Sequence, residues 1–121
     1  MELTQIVETG RQVIERYAAS GFRVSGTIFL GPVLVFPDHS LEWLDAAITI
    51  AGLDPVVQHG GIDLLLLGLG RRTARIAADV RAHFKAGGIS VEAMDTGAAC
   101  RTYNLLIAED RRVAAALLPP V

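Results

Sequence analysis

The residues with the most chemical potential lie in one stretch, MDTGAACRTYN, from Met94 to Asn104, where the chain's only cysteine, Cys100, stands beside Arg101. A thiol next to a guanidinium could be a thiolate nucleophile with an anion clamp, because a neighbouring cation lowers a cysteine pKa. The spacing argues against that chemistry. If Thr96 to Ala108 is helical, the helical turn puts Ala99, Cys100, Tyr103, Leu106 and Ile107 on one side, with Arg101, Asn104 and Ala108 on the neighbouring strip. Activation by a helix dipole belongs to the first turn, and Cys100 comes about one turn later. A phosphate-cradling cysteine loop needs several residues between its cysteine and its arginine, whereas Arg101 follows at once. Cys100 is therefore expected as a small buried thiol at the edge of the packed face. No Ser-His-Asp or Cys-His pairing follows from spacing alone.

A second candidate is Gly68-Leu69-Gly70, which follows an apolar run and precedes a helical pattern, with Arg71 and Arg72 beside it. A strand, two glycines and a helix N-terminus can hold an anion. The dinucleotide fingerprint is incomplete, because Thr73 stands where a third glycine belongs. No cofactor is called for. If the strands at Asp63–Leu67 and Ile89–Met94 are parallel, the loops after them share the carboxyl edge of one sheet, where open α/β sheets bind ligands. Gly68, Gly70, Asp95, Thr96, Cys100, Arg101 and Asn104 then border one expected cleft for a ligand or partner. The three histidines, His39, His59 and His83, show no metal-ligand spacing, so no metal is expected.

The elements that must position these residues read as α/β. Leu3, Ile6, Val7, Val13, Ile14 and Tyr17 recur at helical spacing, interrupted by Gly10. GFRVSGTIFLGPVLVFPD predicts a strand-rich meander with Pro32 and Pro37 at strand ends or edges. Trp43 is expected as an apolar anchor, and Ile48-Thr49-Ile50 leans towards strand. Asp54-Pro55 predicts a helix capped by Asp54 and stopped by Gly60-Gly61. Asp63–Leu67 is apolar enough for a central strand. Ile76, Val80 and Phe84 predict a helix over Thr73–Ala86, ended by Gly87-Gly88. A strand at Ile89–Met94, a helix capped by Asp95 or Thr96, and a last strand at Val113–Leu118 complete the order.

The bulk properties set outer limits. With 121 residues, one domain over 1–121 is expected, large enough for its own core. A net charge of −2 gives no electrostatic case for nucleic acid or an anionic membrane. One cysteine excludes an internal disulfide and a cysteine-based zinc cluster. MELTQIVETGRQ has no apolar signal core, and the run Leu64–Leu67 is too short to span a bilayer. Lys85 is the only lysine among 11 basic residues, which hints at a GC-rich genome. A cytoplasmic, bacterial protein without stable membrane insertion is the expectation.

LLLLGLG and GGISVEAMDTGAACRTYNLLIAEDRRVAAALLPP carry a more specific signal. The MDT-x-A-A-C-R-T-Y-N run with its VAAALLP ending resembles the family of mitochondrial complex I assembly factor 3 and its small prokaryotic relatives. The match extends more weakly to GFRVSGTIFLGPVLVFPD and Trp43, covering about 13–121. The resemblance implies one three-layer α/β domain, with a mixed central sheet flanked by helices and a β-hairpin element on one side. It also implies a strand, not a helix, at Val13–Tyr17. The eukaryotic member acts in assembling respiratory complex I without an established enzyme activity. In place of the Gly-Thr-Gly usual in that family, this chain has Gly68-Leu69-Gly70, which removes a side-chain hydroxyl from the loop.

These observations favour a non-catalytic binding or assembly-type domain, with respiratory complex subunits as candidate protein partners. The alternative is a small enzyme using Cys100, or a sensor of a small anionic ligand at the paired loops. A third reading is an oligomer subunit that buries its apolar surplus at an interface.

Overall fold

Leu64–Leu69 (LLLLGL) and Val113–Leu118 (VAAALL) are apolar throughout, so each must be covered on both faces, which is the position of a central strand. The computed structural model describes residues 10–121 and puts both at the heart of a five-stranded mixed sheet. In chain order the elements are β1 (Ile14–Ala18), β2 (Gly21–Val24), β3 (Thr27–Leu30), β4 (Val33–Val35), β5 (Ser40–Glu42), α1 (Asp54–His59), β6 (Leu64–Leu69), α2 (Ala78–Ala86), β7 (Ser90–Met94), α3 (Thr96–Ala108) and β8 (Val113–Leu118). The large sheet has the order β5-β4-β8-β6-β7, and β1-β2-β3 form a separate antiparallel meander. β6 runs parallel to both β7 and β8, while β4 is antiparallel to β8 and β5.

The period-2 alternation of a strand divides the core into two. Leu34, Leu65, Leu67, Ala114 and Ala116 face one way, onto Val56 of α1, Val80 and Phe84 of α2, and Trp43. Val33, Val35, Leu66, Val113, Ala115 and Leu117 face the other way, onto Ala99, Cys100, Tyr103 and Ile107 of α3 and onto Ile14, Phe22 and Val24 of the meander. The result is three layers: α1 and α2, the mixed sheet, then α3 with the small sheet. This is the architecture the family resemblance implies, with a three-stranded meander as the lateral β element. Each fully buried Leu or Phe contributes about 1.5–3 kcal/mol to holding the layers together.

Several local expectations are met and others are corrected. Pro32 and Pro37 flank β4, where no ladder donor is required. Trp43 is buried and its indole N–H donates to the Gly52 carbonyl at 2.9 Å, an apolar anchor with its polar handle satisfied. Val13 to Tyr17 lies in or beside β1, so strand prevails over the helical spacing; Leu3, Ile6 and Val7 lie outside the described residues.

Ile48-Thr49-Ile50 is a turn and not a strand: Thr49 Oγ1 accepts from the Gly52 N–H and the Thr49 carbonyl accepts from the Leu53 N–H. Asp54 does not cap α1 but occupies its first turn, after Leu53. The helix expected from Thr73 begins only at Ala78, after Ala77 at φ −57 and ψ 139, and Thr73 lies instead beside β7, its hydroxyl donating to the Ala93 carbonyl at 3.3 Å. Ile76 still packs with Val80 and Phe84 from an extended approach. The α2 terminus closes as predicted from Gly87-Gly88, with Gly88 at φ +82 and bonds from the Ile89 N–H to the Phe84 carbonyl and the Gly88 N–H to the Lys85 carbonyl.

α3 is tied to the meander by Asn104, which is buried. Its Oδ1 accepts from the Ile14 N–H at 3.0 Å and its Nδ2 donates to the Ile14 carbonyl at 2.8 Å. β1 is an edge strand, so the amide acts as the missing neighbouring strand at this residue. Asn104→Ala would leave a buried N–H and C=O unsatisfied, and unfolding by urea is expected to show a loss of about 3 kcal/mol. An unchanged midpoint and slope would show that the amide does not hold the two sheets together.

Candidate functional site

The parallel pairing of β6 with β7 sets Gly68 opposite Met94, so the loops after both strands leave from the same edge of the sheet. Gly68, Gly70, Asp95 and Thr96 meet there. Asp95 caps α3, its Oδ1 accepting from the Ala98 N–H at 2.9 Å. Thr96, fully buried, accepts from the Gly70 N–H at 2.8 Å through Oγ1, donates that hydroxyl to the Leu118 carbonyl at 2.5 Å, and donates its own N–H to the Gly70 carbonyl at 2.8 Å. Gly68 permits the approach: an added Cβ would lie 2.8 Å from Leu117 Cδ2 and 3.1 Å from Thr96 Cα. The Gly70 amide is thus bonded within the fold. α2 begins eight residues further on, so the loop does not open directly into a helix N-terminus. An open cavity of about 350 Å³ adjoins this edge, lined by Gly70, Arg71, Arg72, Leu118 and Pro119.

Cys100, Arg101 and Asn104 face a different neighbour, the meander. Cys100 is fully buried, and burial, opposed only in part by Arg101, pushes its thiol up to about 12. Arg101 is exposed, and its guanidinium donates to the Tyr17 hydroxyl on β1 at 3.4 Å. That hydroxyl lies against Gly97, where an added Cβ would come within 2.8 Å of it. Asn104 is committed to Ile14, as above. Next to it the buried Tyr103 hydroxyl shares its proton between the Gln12 carbonyl at 3.1 Å and the Phe36 carbonyl at 3.3 Å. Burial raises the Tyr103 phenol well above its ordinary value. Among the described residues no buried side-chain nitrogen or oxygen lacks a partner. The exposed residues of α3 are Arg101, Leu105 one turn later, and the terminal Ala108.

A third grouping was invisible in the sequence. Asp38 and His39, on the turn between β4 and β5, meet His59, the last residue of α1. Asp38 Oδ1 lies 2.6 Å from His59 Nε2 and 3.1 Å from His39 Nδ1. His59 Nδ1 is 2.7 Å from the Gly60 carbonyl. The hydrogen bond to His59 holds the Asp38 carboxyl down to about 2. Partial burial works against a charged His59, but Asp38 and the Gly60 carbonyl outweigh it and raise its pKa. The two histidines are twenty residues apart and only the return of α1 onto the sheet unites them. The one local hint is the adjacent Asp38-His39 pair.

Solved structures share this architecture. A protein of Bordetella parapertussis superposes with a TM-score of 0.83 at 35% identity, over 92% of this chain and 98% of that one. Among curated proteins, the zebrafish (Danio rerio) NADH dehydrogenase [ubiquinone] 1 alpha subcomplex assembly factor 3 is 39% identical over 113 residues, which are 89% of this chain and 64% of the relative's length. An uncharacterised protein of Rhodobacter capsulatus is 34% identical, covering 91% of this chain and 86% of its own. The present chain thus spans just under two thirds of the zebrafish relative and most of the bacterial one. Its residues 14–118, from the first strand of the meander to the last strand of the central sheet, place it in the family described as "Protein of unknown function (DUF498/DUF598)", to which it belongs.

Proposed function

We propose that this chain is a non-catalytic, assembly-type domain that binds a protein partner, with respiratory complex subunits as the candidate partners. The observation that carries this reading is the 39% identity, over 89% of the chain, to a protein named as a complex I assembly factor. The geometry is compatible with it. Gly68, Gly70, Asp95, Thr96, Cys100 and Asn104 shape the sheet edge and the shoulder of α3, and their polar groups serve the fold. Arg101 and Leu105 offer a partner one cation and one apolar side chain on a helix whose other face is fixed. Arginine is among the side chains that most often dominate such contacts.

Affinity capture from an extract of the native host is expected to retain respiratory subunits on the wild-type chain. Arg101→Ala should reduce their recovery about tenfold with an unchanged melting curve, as loss of a single anchoring contact would. Equal recovery by both proteins would remove Arg101 from the interface, and absence of respiratory subunits would overturn the assembly reading.

The enzyme alternative places its chemistry on Cys100, and burial opposes it. With its thiol at about 12, Cys100 in the folded chain is expected to react with iodoacetamide at pH 8 at least about a hundredfold more slowly than in the urea-unfolded chain. Rapid alkylation of the native protein would restore a thiol-based mechanism.

A further inference from the structure

We propose that Asp38, His39 and His59 form a binding site for one divalent first-row transition metal ion of the zinc type. The three ligand atoms come from two segments and all lie within 4.8 Å of one another. A tetrahedral ion with bonds of about 2.0–2.1 Å needs donor atoms roughly 3.3 Å apart and bound imidazole centroids roughly 5 Å apart. Asp38 Oδ1 is already 2.6 Å and 3.1 Å from the two histidine nitrogens, and the His39 and His59 centroids are 5.5 Å apart. The third separation, between the two histidine nitrogens, lies within 4.8 Å and would have to come to about 3.3 Å around an ion of that geometry.

The surroundings support the same conclusion. His59 Nδ1 donates to the Gly60 carbonyl, which directs Nε2 towards Asp38. Metal-bound histidines characteristically have such a carbonyl partner, because it fixes the tautomer and the ring plane. The ion would take the place of the Nε2 proton that now bridges to Asp38. Buried Phe36 holds both rings, stacking on His59 at 4.4 Å and 3° and on His39 at 5.3 Å and 24°. The site opens onto a cavity of about 730 Å³ that Asp38 and His59 help to line, leaving room for water in the remaining coordination position. Arg11, Arg111 and Arg112 line that cavity too; Arg11 is paired with Asp110 and Arg112 with Asp63. Two imidazoles and one carboxylate favour zinc, cobalt, nickel or copper over magnesium and calcium, which prefer all-oxygen shells.

The test is calorimetric titration of the tag-free full chain with Zn2+ and, separately, spectroscopic titration with Co2+. One equivalent is expected to bind at micromolar concentration, with the intense visible bands of four-coordinate cobalt. His59→Ala and His39→Ala should each weaken binding by at least tenfold, the usual scale for disturbing a metal's ligand sphere. His39 is half exposed, so its variant keeps the fold even if loss of the His59–Phe36 stacking does not. His83→Ala should leave the affinity unchanged. No saturable binding up to about millimolar metal would overturn the proposal, since specific sites bind more tightly than that. So would binding that survives both His39→Ala and His59→Ala, or binding that only His83→Ala removes.

Discussion

The amide of Asn104 links two sheets that otherwise have separate hydrogen-bond ladders. β1 ends the meander, and the N–H and C=O of Ile14 bond to Asn104, with no strand beyond β1 among the described residues. Burying that edge without partners would cost about as much as a typical core truncation. One side chain on α3 supplies both partners, and the meander is thereby held over Cys100, Ala99 and Tyr103. Tyr103 and Thr96 repeat the device at other points along the same helix, reaching the Gln12 and Phe36 carbonyls and the Gly70 and Leu118 backbone. α3 is therefore a strut whose polar groups are structural.

The sequence pattern revealed the elements whose signal is carried by neighbouring residues. The apolar run at Asp63–Leu67 read as a central strand, VAAALL as a closing strand, and the glycines at 87 and 88 as the end of a helix. The start of α2 could not be read in that way. Ile76 keeps the four-residue spacing of Val80 and Phe84, but the Thr73 hydroxyl is bonded across space to Ala93, and the helix begins only at Ala78. Ile48-Thr49-Ile50 failed for the same kind of reason: its β-branched composition was real, but Thr49 finds its partner three residues on and closes a turn. Family resemblance, not periodicity, identified the first strand.

The candidate site was legible in part. The meeting of Gly68, Gly70, Asp95 and Thr96 at one edge depended on β6 and β7 being parallel, and they are. What spacing could not show is how completely these groups satisfy one another, because Thr96 bonds to residues 26 and 22 positions away. Cys100 was placed correctly on the packed side of its helix, and its burial follows from that. Asn104 was assigned to a polar strip, yet an amide at such a border can also be buried if an edge strand needs it. His39 and His59 lay beyond local pattern altogether, since their proximity exists only once α1 has folded back beside the β4–β5 turn.

These contacts bear on what the carboxyl edge of the sheet can offer a ligand. The connection from β6 to β7 runs through α2 on one face, and that from β7 to β8 through α3 on the other. The carboxyl ends of β6 and β7 therefore form the switch point at which open sheets leave a ligand crevice. Here Thr96 stands in that crevice, with its hydroxyl between the Gly70 N–H and the Leu118 carbonyl. The backbone donor that would meet an anion already has an acceptor, and a ligand would have to displace a buried hydrogen bond to reach it. The side chain of Thr96 thus closes the position at which such sheets usually hold a ligand. The side chains that α3 leaves exposed, Arg101 and Leu105 among them, lie outside this closed edge and outside the packed core.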